Sequence, residues 1–364
     1  MLKQGANNAV VTVADRRYLP PACCQLSSVA NHLHSDDAQL FLVVCDVSEQ
    51  DVAHAREFFA KRNMRVEIVV PDFLDDMVQP LKTRWPRAAY LRLYFDRIFD
   101  ERWQRILYLD ADTRVCAPLA PLLHADLRGE PIGAVHDFIY YVTGNIHRRR
   151  KDLGLANDAP YFQSGVMLLD WQRMLQCDGL GDARRFLLEH AEGCYEAPDQ
   201  DALNGAFEDR WTPLDPRWNL HETYLMFGQR YKPKLMHFTS TKPWSKERTR
   251  AWAGASRWYR SELADTPWHD FVESQSVLDA LRVELLFRGR VYKPRLLEAA
   301  ANNVPLLLSL FGRQLRPYDH TGGFKPWVPR RAQDVEDMTQ ALIDEASGGP
   351  ALRPPEAILA EGHW

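Results

Sequence analysis

Arg105-Ile-Leu-Tyr-Leu-Asp110-Ala-Asp112-Thr113 is a short apolar run that hands two carboxylates, two residues apart, to whatever follows it. A run of this length and composition reads as a buried strand. Acids at the end of such a strand rarely serve packing. In extended backbone, residues i and i+2 project the same way, so Asp110 and Asp112 converge on one point where a hard divalent cation finds two oxygens. A turn or a helix start uses Asp equally well, so the pair alone leaves both readings open. Its surroundings separate them.

Upstream, β-prone runs at 10–14, 39–45 and 66–70 alternate with helix-like stretches at 23–34, 52–62 and 89–99. Downstream, strands are expected at 131–136, 165–169 and 235–238, and helices at 182–191 and 200–207. Such alternation is the signature of an α/β fold, a mostly parallel sheet flanked by helices. Ligands gather at the carboxyl ends of the strands in these sheets. Asp15 and Asp110 both end strands, which puts them on one rim in the manner of a nucleotide site. The core is expected to close near Trp244. Beyond it lies an Arg-rich region punctuated by Trp252, Trp258, Tyr259 and Trp268, with amphipathic helices expected at 274–290, 296–301 and 306–315. Gly348-Gly349-Pro350 and Pro354-Pro355 mark a loose tail. The chain therefore divides at 1–244, 245–345 and 346–364.

The 364 residues are 46% hydrophobic and 26% charged, which is ordinary for a globular protein, and a net charge of −4 gives no global case for nucleic-acid binding. Six cysteines without C-x-x-C spacing read as reduced thiols. The first eight residues lack the apolar stretch of a signal peptide, and no segment has the uninterrupted apolar length of a spanning helix. A cytoplasmic protein is the expectation.

Four patches together resemble glycosyltransferase family 8. They are Tyr90-Leu-Arg92-Leu; Leu107-Tyr-Leu-Asp110-Ala-Asp112; Tyr161-Phe-Gln-Ser164-Gly165-Val-Met-Leu-Leu with Asp199-Gln200-Asp201-Ala-Leu-Asn204; and His237-Phe-Thr-Ser-Thr-Lys242-Pro-Trp244. They occur in the family's order across residues 10–244. The resemblance implies a GT-A fold with a helical C-terminal extension. It also implies a retaining transferase that moves a hexose, galactose or glucose, from a UDP-sugar. Similarity to bacterial lipopolysaccharide transferases implies an envelope glycan or lipid-linked saccharide as acceptor.

Roles follow from that resemblance, position by position. Asp15 and Tyr18 match the residues that bond the uracil edge and cover its face. Asp110, Asp112 and His237 match the metal ligands, and two hard oxygens with one imidazole favour manganese over magnesium, without excluding another divalent cation. Arg92 matches the arginine that reaches the donor sugar and its phosphates, and Lys242 the point charge at the diphosphate. Asp137 matches an aspartate holding sugar hydroxyls. Asp199 and Gln200 match the pair beneath the anomeric carbon, although Pro198-Asp199 also reads as a helix start. Val13, Ala111, Gln163 and Ser164 complete the implied substrate contacts.

Two positions depart from the pattern. Gln163 stands where the family usually has Asn, one methylene shorter, at a position that touches the donor sugar. Ser240 stands where a Gly usually separates the His from the Lys, and the loop is one residue shorter. A second Lys325-Pro-Trp327, preceded by His320-Thr-Gly322-Gly323, suggests a loop that closes over the donor. Arg282, Arg288, Arg290, Lys293, Arg295, Arg313 and Arg316 interleave with apolar residues, which reads either as peripheral contact with an anionic inner membrane or as a solvated face. Trp252, Trp258, Tyr259 and Trp268 read either as acceptor-stacking or as core aromatics. Two other functions stay open: a catalytically silent UDP-sugar-binding or scaffold protein, and a phosphohydrolase using the same carboxylates.

Overall fold

The apolar runs become strands because both of their faces are covered. In β1 (Asn8–Ala14), Val10 and Ala14 join one hydrophobic cluster with α1 (Leu19–Ala30) and α2 (Glu49–Lys61), while Ala9, Val11 and Val13 join a second cluster on the opposite face. A strand buried on both sides needs no alternation of apolar and polar residues. The computed structural model describes residues 7–34, 36–77, 85–143, 145–190, 197–221, 231–286 and 332–351.

Among the described residues, seven strands form the main sheet in the order β3 (Val66–Val69), β2 (Gln39–Val44), β1, β4 (Arg105–Leu109), β7 (Phe162–Asp170), β6 (Ile132–His136) and β8 (Trp211–Pro213). The first four are mutually parallel, β6 and β8 are parallel, and β7 runs antiparallel to both of its neighbours. The expected mostly parallel α/β sheet is therefore present, with one reversed strand. That reversal matters for the rim. Parallel strands bring their carboxyl ends there, whereas β7 brings its beginning, and the Asp110 N–H donates to the Gly165 carbonyl at 2.8 Å. Pairing of β6 with β7 slips between Ala134 and Val135, so that Gln163 lies opposite Val135. Irregularities of this kind re-aim side chains at the edges of sites.

A smaller sheet has the order β5 (Thr113–Val115), β10 (Leu235–His237), β9 (Leu220–His221). Because β5 follows Asp112 directly, its antiparallel pairing sets His237 opposite Thr113, and the Phe238 N–H donates to the Asp112 carbonyl at 2.9 Å.

Three expectations change. The 89–99 helix is an α-turn at Arg87–Tyr90 followed by 3-10 winding at Leu91–Arg97, with Tyr94 off helical geometry. Six successive residues from Tyr90 to Phe95 are buried, which an amphipathic α-helix with one apolar stripe does not achieve. The core does not close at Trp244: Trp252, Ala255, Tyr259, Leu263 and Val272 share the cluster of Val10 and Leu42. Trp252 meets Phe238 edge to face at 4.8 Å, so Trp252 and Tyr259 are core aromatics and the acceptor-stacking reading fails for them. Trp258 and Trp268 pack against the same cluster half-buried. Third, the Ala332–Ala346 helix was not anticipated as an element; Met338 and Leu342 pack with Phe138 and Tyr141, and Glu345 bonds the His136 ring at 3.0 Å.

The expected helices at 296–301 and 306–315, the His320 to Trp327 motif, Cys194 and the basic residues from Arg288 onward lie outside the described residues. The other five cysteines are unpaired. Among the described residues, no helix is long and apolar enough to cross a membrane.

Candidate active site

Asp110 and Asp112 leave β4 at the rim, and β10 brings His237 to them. The His237 Nε2 lies 3.3 Å from an Asp112 oxygen and 3.6 Å from an Asp110 oxygen, and one potential ligand atom from each residue falls within 4.8 Å of the others. Two carboxylates and an imidazole aimed at one point make a suitable donor set for a divalent cation. Gly165 makes the convergence possible, since a Cβ there would collide with the His237 ring and the Asp110 carboxylate. The three residues that the sequence assigned to metal are therefore together, and the space between them is shaped by a missing side chain.

Lys242 closes one side. Its ammonium donates to Asp112 Oδ2 at 2.5 Å and to the Phe238 and Thr239 carbonyls. Burial alone would push the Asp112 carboxyl up, but Lys242 and then His237 outweigh it and hold that carboxyl well below the usual range. Burial works against the Lys242 charge as well, and Asp112 restores it, leaving the ammonium with a raised pKa. Both groups stay ionised.

Arg92 joins this rim to a deeper floor. Its Nη2 donates to Asp110 Oδ1 at 2.8 Å, while Nη1 meets Ser164 O at 3.1 Å and Asp199 Oδ2 at 3.1 Å. The guanidinium also lies over the Tyr108 ring, whose hydroxyl donates to the same Asp110 oxygen. Burying a guanidinium unpaired would cost several kcal/mol, on the order of 3–5 when one partner of a pair is lost. Two carboxylates prevent that here. Its Nε–H, also buried, has no hydrogen-bond partner among the described residues and is the donor left over.

The floor is built by α9 (Pro198–Phe207) against the start of β7. Asn204 accepts from the Phe162 N–H and donates to the Phe162 carbonyl, imitating a strand neighbour and fixing the helix in place. One turn earlier, Gln200 accepts the Ser164 N–H at 3.0 Å and donates to Asp137 Oδ2 at 2.8 Å. An amide oxygen has two lone pairs, so one remains on Gln200 Oε1. Asp199 accepts from the Ser164 hydroxyl at 3.0 Å and pairs with Arg92; the helix starts at Pro198, as the helix-start reading expects, with Asp199 in its first turn and Ala197 at the N-cap. Asp137 follows β6 and accepts from the Ile139 and Tyr140 N–H groups at the head of the next helix. Burial pushes its carboxyl up to about 6, against the opposing bonds from Gln200, Tyr140 and Ile139. Burial likewise raises Asp199 despite Arg92.

On the other flank, β1 ends beside β4. Continuing the register from Val11 opposite Tyr108 sets Val13 level with Asp110. Asp15 Oδ1 accepts from the Tyr18 N–H at 2.9 Å, closing a turn that starts α1, and Tyr18 lies edge to face with Trp244 at 6.1 Å. Burial raises the Tyr18 hydroxyl, and the charges of Asp112 and Lys242 both reach it, so this aromatic adjoins the rim.

Asn219 was not found from the sequence, because it belongs to no recognisable motif. It ends the 3-10 turn Pro216–Asn219, is 1% exposed, and contacts both Gln163 and His237.

The sequence profile described as glycosyl transferase family 8 matches residues 9–248, more than half of the 364-residue chain. Among curated proteins, General stress protein A of Bacillus subtilis (strain 168) is 30% identical over 177 residues, which are 44% of this chain and 59% of that protein. Lipopolysaccharide 1,2-glucosyltransferase of Escherichia coli (strain K12) is 27% identical over 275 residues, 70% of this chain and 77% of that protein. The chain thus spans less than two thirds of the former and more than two thirds of the latter. Among solved structures, the Q189E active-site mutant of LgtC superposes with a TM-score of 0.62 at 21% identity, covering 72% of this chain and 99% of that one. The bifunctional glycosyltransferase WbbM gives 0.62 at 20% identity, covering 78% and 53%. These likenesses establish the fold, which is the GT-A type.

Proposed function

The chain belongs to glycosyltransferase family 8, and from that premise we propose that it is a metal-dependent retaining hexosyltransferase. In this reading it moves galactose or glucose from a UDP-sugar to an envelope glycan or a lipid-linked saccharide. The observation that carries the reading is the convergence of Asp110, Asp112 and His237 beside Lys242, with a hydrogen-bonded sugar floor of Asp137, Gln200 and Asp199 joined to it by Arg92.

Asp110, Asp112 and His237 would hold a cation, best fitted by manganese, which when bound would neutralise diphosphate charge as UDP leaves. Lys242 offers the same oxygens a fixed point charge. Asp15 and Tyr18 receive the uridine, and Val13, Ala111, Gln163 and Ser164 line the donor. Asp137 takes sugar hydroxyls. Asp199 is tied to Arg92 and Ser164, and the Gln200 amide is a poor nucleophile, which favours attack by the acceptor hydroxyl on the face that UDP leaves. The acceptor oxygen bonds to the anomeric carbon as the carbon–phosphate-oxygen bond breaks, and a β-phosphate oxygen takes the hydroxyl proton. The free lone pair of Gln200 Oε1 steadies positive charge on the sugar ring.

The test is UDP release from a panel of UDP-sugars with manganese, with and without saccharide acceptors. One donor should release UDP, and Asp112→Ala should lower the rate by about a thousandfold. Tight UDP binding without release from any donor, acceptor included, would indicate a silent donor-binding protein. Products of UMP and sugar phosphate would indicate a phosphohydrolase.

A peripheral membrane contact, at the inner face of the cytoplasmic membrane where a lipid-linked acceptor would lie, is supported by one feature. Residues 277–286 are helical and start with a Ser276–Asp279 capping box, yet Val277, Leu278 and Leu285 are each at least 70% exposed. Binding to anionic vesicles that is lost in Leu278→Glu/Leu285→Glu would support this contact; equal binding by the variant would remove it.

A further inference from the structure

The metal-facing imidazole of His237 is held from behind by a relay whose polarity can be read from one end to the other. Gly165 contributes a backbone N–H, which can only donate, and it donates to Gln163 Oε1 at 2.7 Å. That oxygen is therefore an acceptor. Asn219 approaches the same oxygen at 2.6 Å and must do so with its amide nitrogen. The other end of the Asn219 amide is then its carbonyl oxygen, which lies 2.8 Å from His237 Nδ1. A carbonyl oxygen only accepts, so Nδ1 carries the proton. When the ring is neutral its lone pair is then on Nε2, the atom 3.3 Å from Asp112 and 3.6 Å from Asp110; when Nε2 carries a second proton it donates to Asp112.

We propose that Asn219 is the positioning residue for the metal ligand His237, fixing its tautomer and ring plane through a relay anchored at Gly165 N–H and Gln163. The proposal rests on the reading of Asp110, Asp112 and His237 as a cation site. The backbone around Asn219 is itself fastened. Asp215 accepts from the Arg217 N–H and pairs with Lys234, and the Lys234 N–H donates to the Arg217 carbonyl, so the turn cannot drift from β10. Beyond it, β9 pairs with β10 at Leu220 and His221. Ligand histidines oriented by a second hydrogen bond lose affinity when that bond is removed, because the ring then samples the wrong tautomer and wrong rotations.

The relay also explains Gln163, the residue that departs from the family pattern. Its Oε1 is committed to two donors, Gly165 and Asn219, so only its Nε2 is left to meet a sugar hydroxyl. The side chain at that position thus serves the metal ligand as well as the donor pocket.

Manganese binding to the full chain without nucleotide, followed by electron paramagnetic resonance of the free ion, tests the affinity, and long-range proton–nitrogen NMR of the metal-free imidazole under alkaline conditions tests the tautomer. Asn219→Ala should weaken manganese binding about 10- to 100-fold, and Gln163→Met should weaken it by a smaller factor; Gln163→Glu, which keeps an acceptor at that atom, should stay within about threefold of the wild type. His237 in the wild type should carry its proton on Nδ1. Binding by folded Asn219→Ala within about twofold of the wild type would overturn the proposal, and so would a proton on Nε2 in the wild type. If Asn219→Ala does not fold, the wild-type spectrum decides alone. If the wild type binds no divalent cation while His237 is protonated on Nδ1, the cation-site reading fails, and the assigned role of Asn219 toward a metal fails with it.

Discussion

Asp112, on the rim proposed to hold a cation, and Asp137, on the floor proposed to receive the sugar, are both buried beside the ends of strands, yet their surroundings drive them in opposite directions. At Asp112, Lys242 and His237 overcome burial and keep the carboxyl ionised far into acid. At Asp137, burial wins over three hydrogen bonds and pushes the carboxyl up to about 6. The difference is one of partners: Asp112 faces the Lys242 ammonium, whereas Asp137 faces the Gln200 amide and two backbone N–H groups, which are dipoles without net charge. Asp112 would thus meet the proposed cation already ionised, while Asp137 exchanges its proton near pH 6 beside the proposed sugar hydroxyls.

The largest effect separating the two regions should come from Lys242→Met. It removes the charge proposed to face the diphosphate, and UDP release should fall about a hundredfold, as when one oxyanion donor is lost. Metal binding without nucleotide should not weaken, because the ammonium and an incoming cation share the Asp112 carboxylate. Equal losses in turnover and in metal affinity would mean that Lys242 only holds Asp112 in place. The rim would then be a scaffold like the floor.

Much of this division was legible in the sequence, and the reasons are local. Asp110 and Asp112 announce themselves because a strand fixes both the direction and the spacing of its side chains. His237, Asp137 and Gln200 were reached through motif resemblance, which carries long-range information that spacing lacks. The 3-10 winding under Arg92 was not legible, since its burial is decided by the sheet it covers. Trp252 and Tyr259 left acceptor-stacking and core readings open, because an aromatic near a turn looks the same in sequence whether it faces a ligand or Phe238. Asn219 could not be found at all: an Asn before a short strand is commonplace, and its significance lies in the two side chains it touches, both distant in sequence.

A smaller effect distinguishes the floor by pH. As pH falls through about 6, Asp137 gains a proton and loses acceptor capacity. Binding of the UDP-sugar should then weaken relative to binding of UDP by up to about tenfold per pH unit. The ratio cancels any titration of the rim, which both ligands share. A flat ratio from pH 5 to 8 would mean that the sugar does not use the Asp137 carboxylate, and the contrast with Asp112 would lose its functional side.

The smallest effect is on stability, and its sign is the sharpest statement of the comparison. A carboxyl whose folded pKa is raised from 3.8 to about 6 binds its proton more tightly in the folded state. Its stabilising contribution is complete below 3.8 and is lost as pH rises through about 6; Asp112, held low, contributes in the opposite sense and loses its contribution only in strong acid. Asn at position 137 carries no such proton. Exchanging the carboxylate also disturbs one hydrogen bond, since Gln200 Nε2 and the Ile139 and Tyr140 N–H groups are all donors, but that cost is the same at every pH. The melting temperature of Asp137→Asn minus that of the wild type should therefore become more positive between pH 4 and pH 7. The gap of about two pH units corresponds to about 3 kcal/mol, or on the order of 5 °C for a chain of this size. A difference that shrinks over this range would show that the folded protein favours the Asp137 carboxylate. Asp137 and Asp112 would then be held by the same physics.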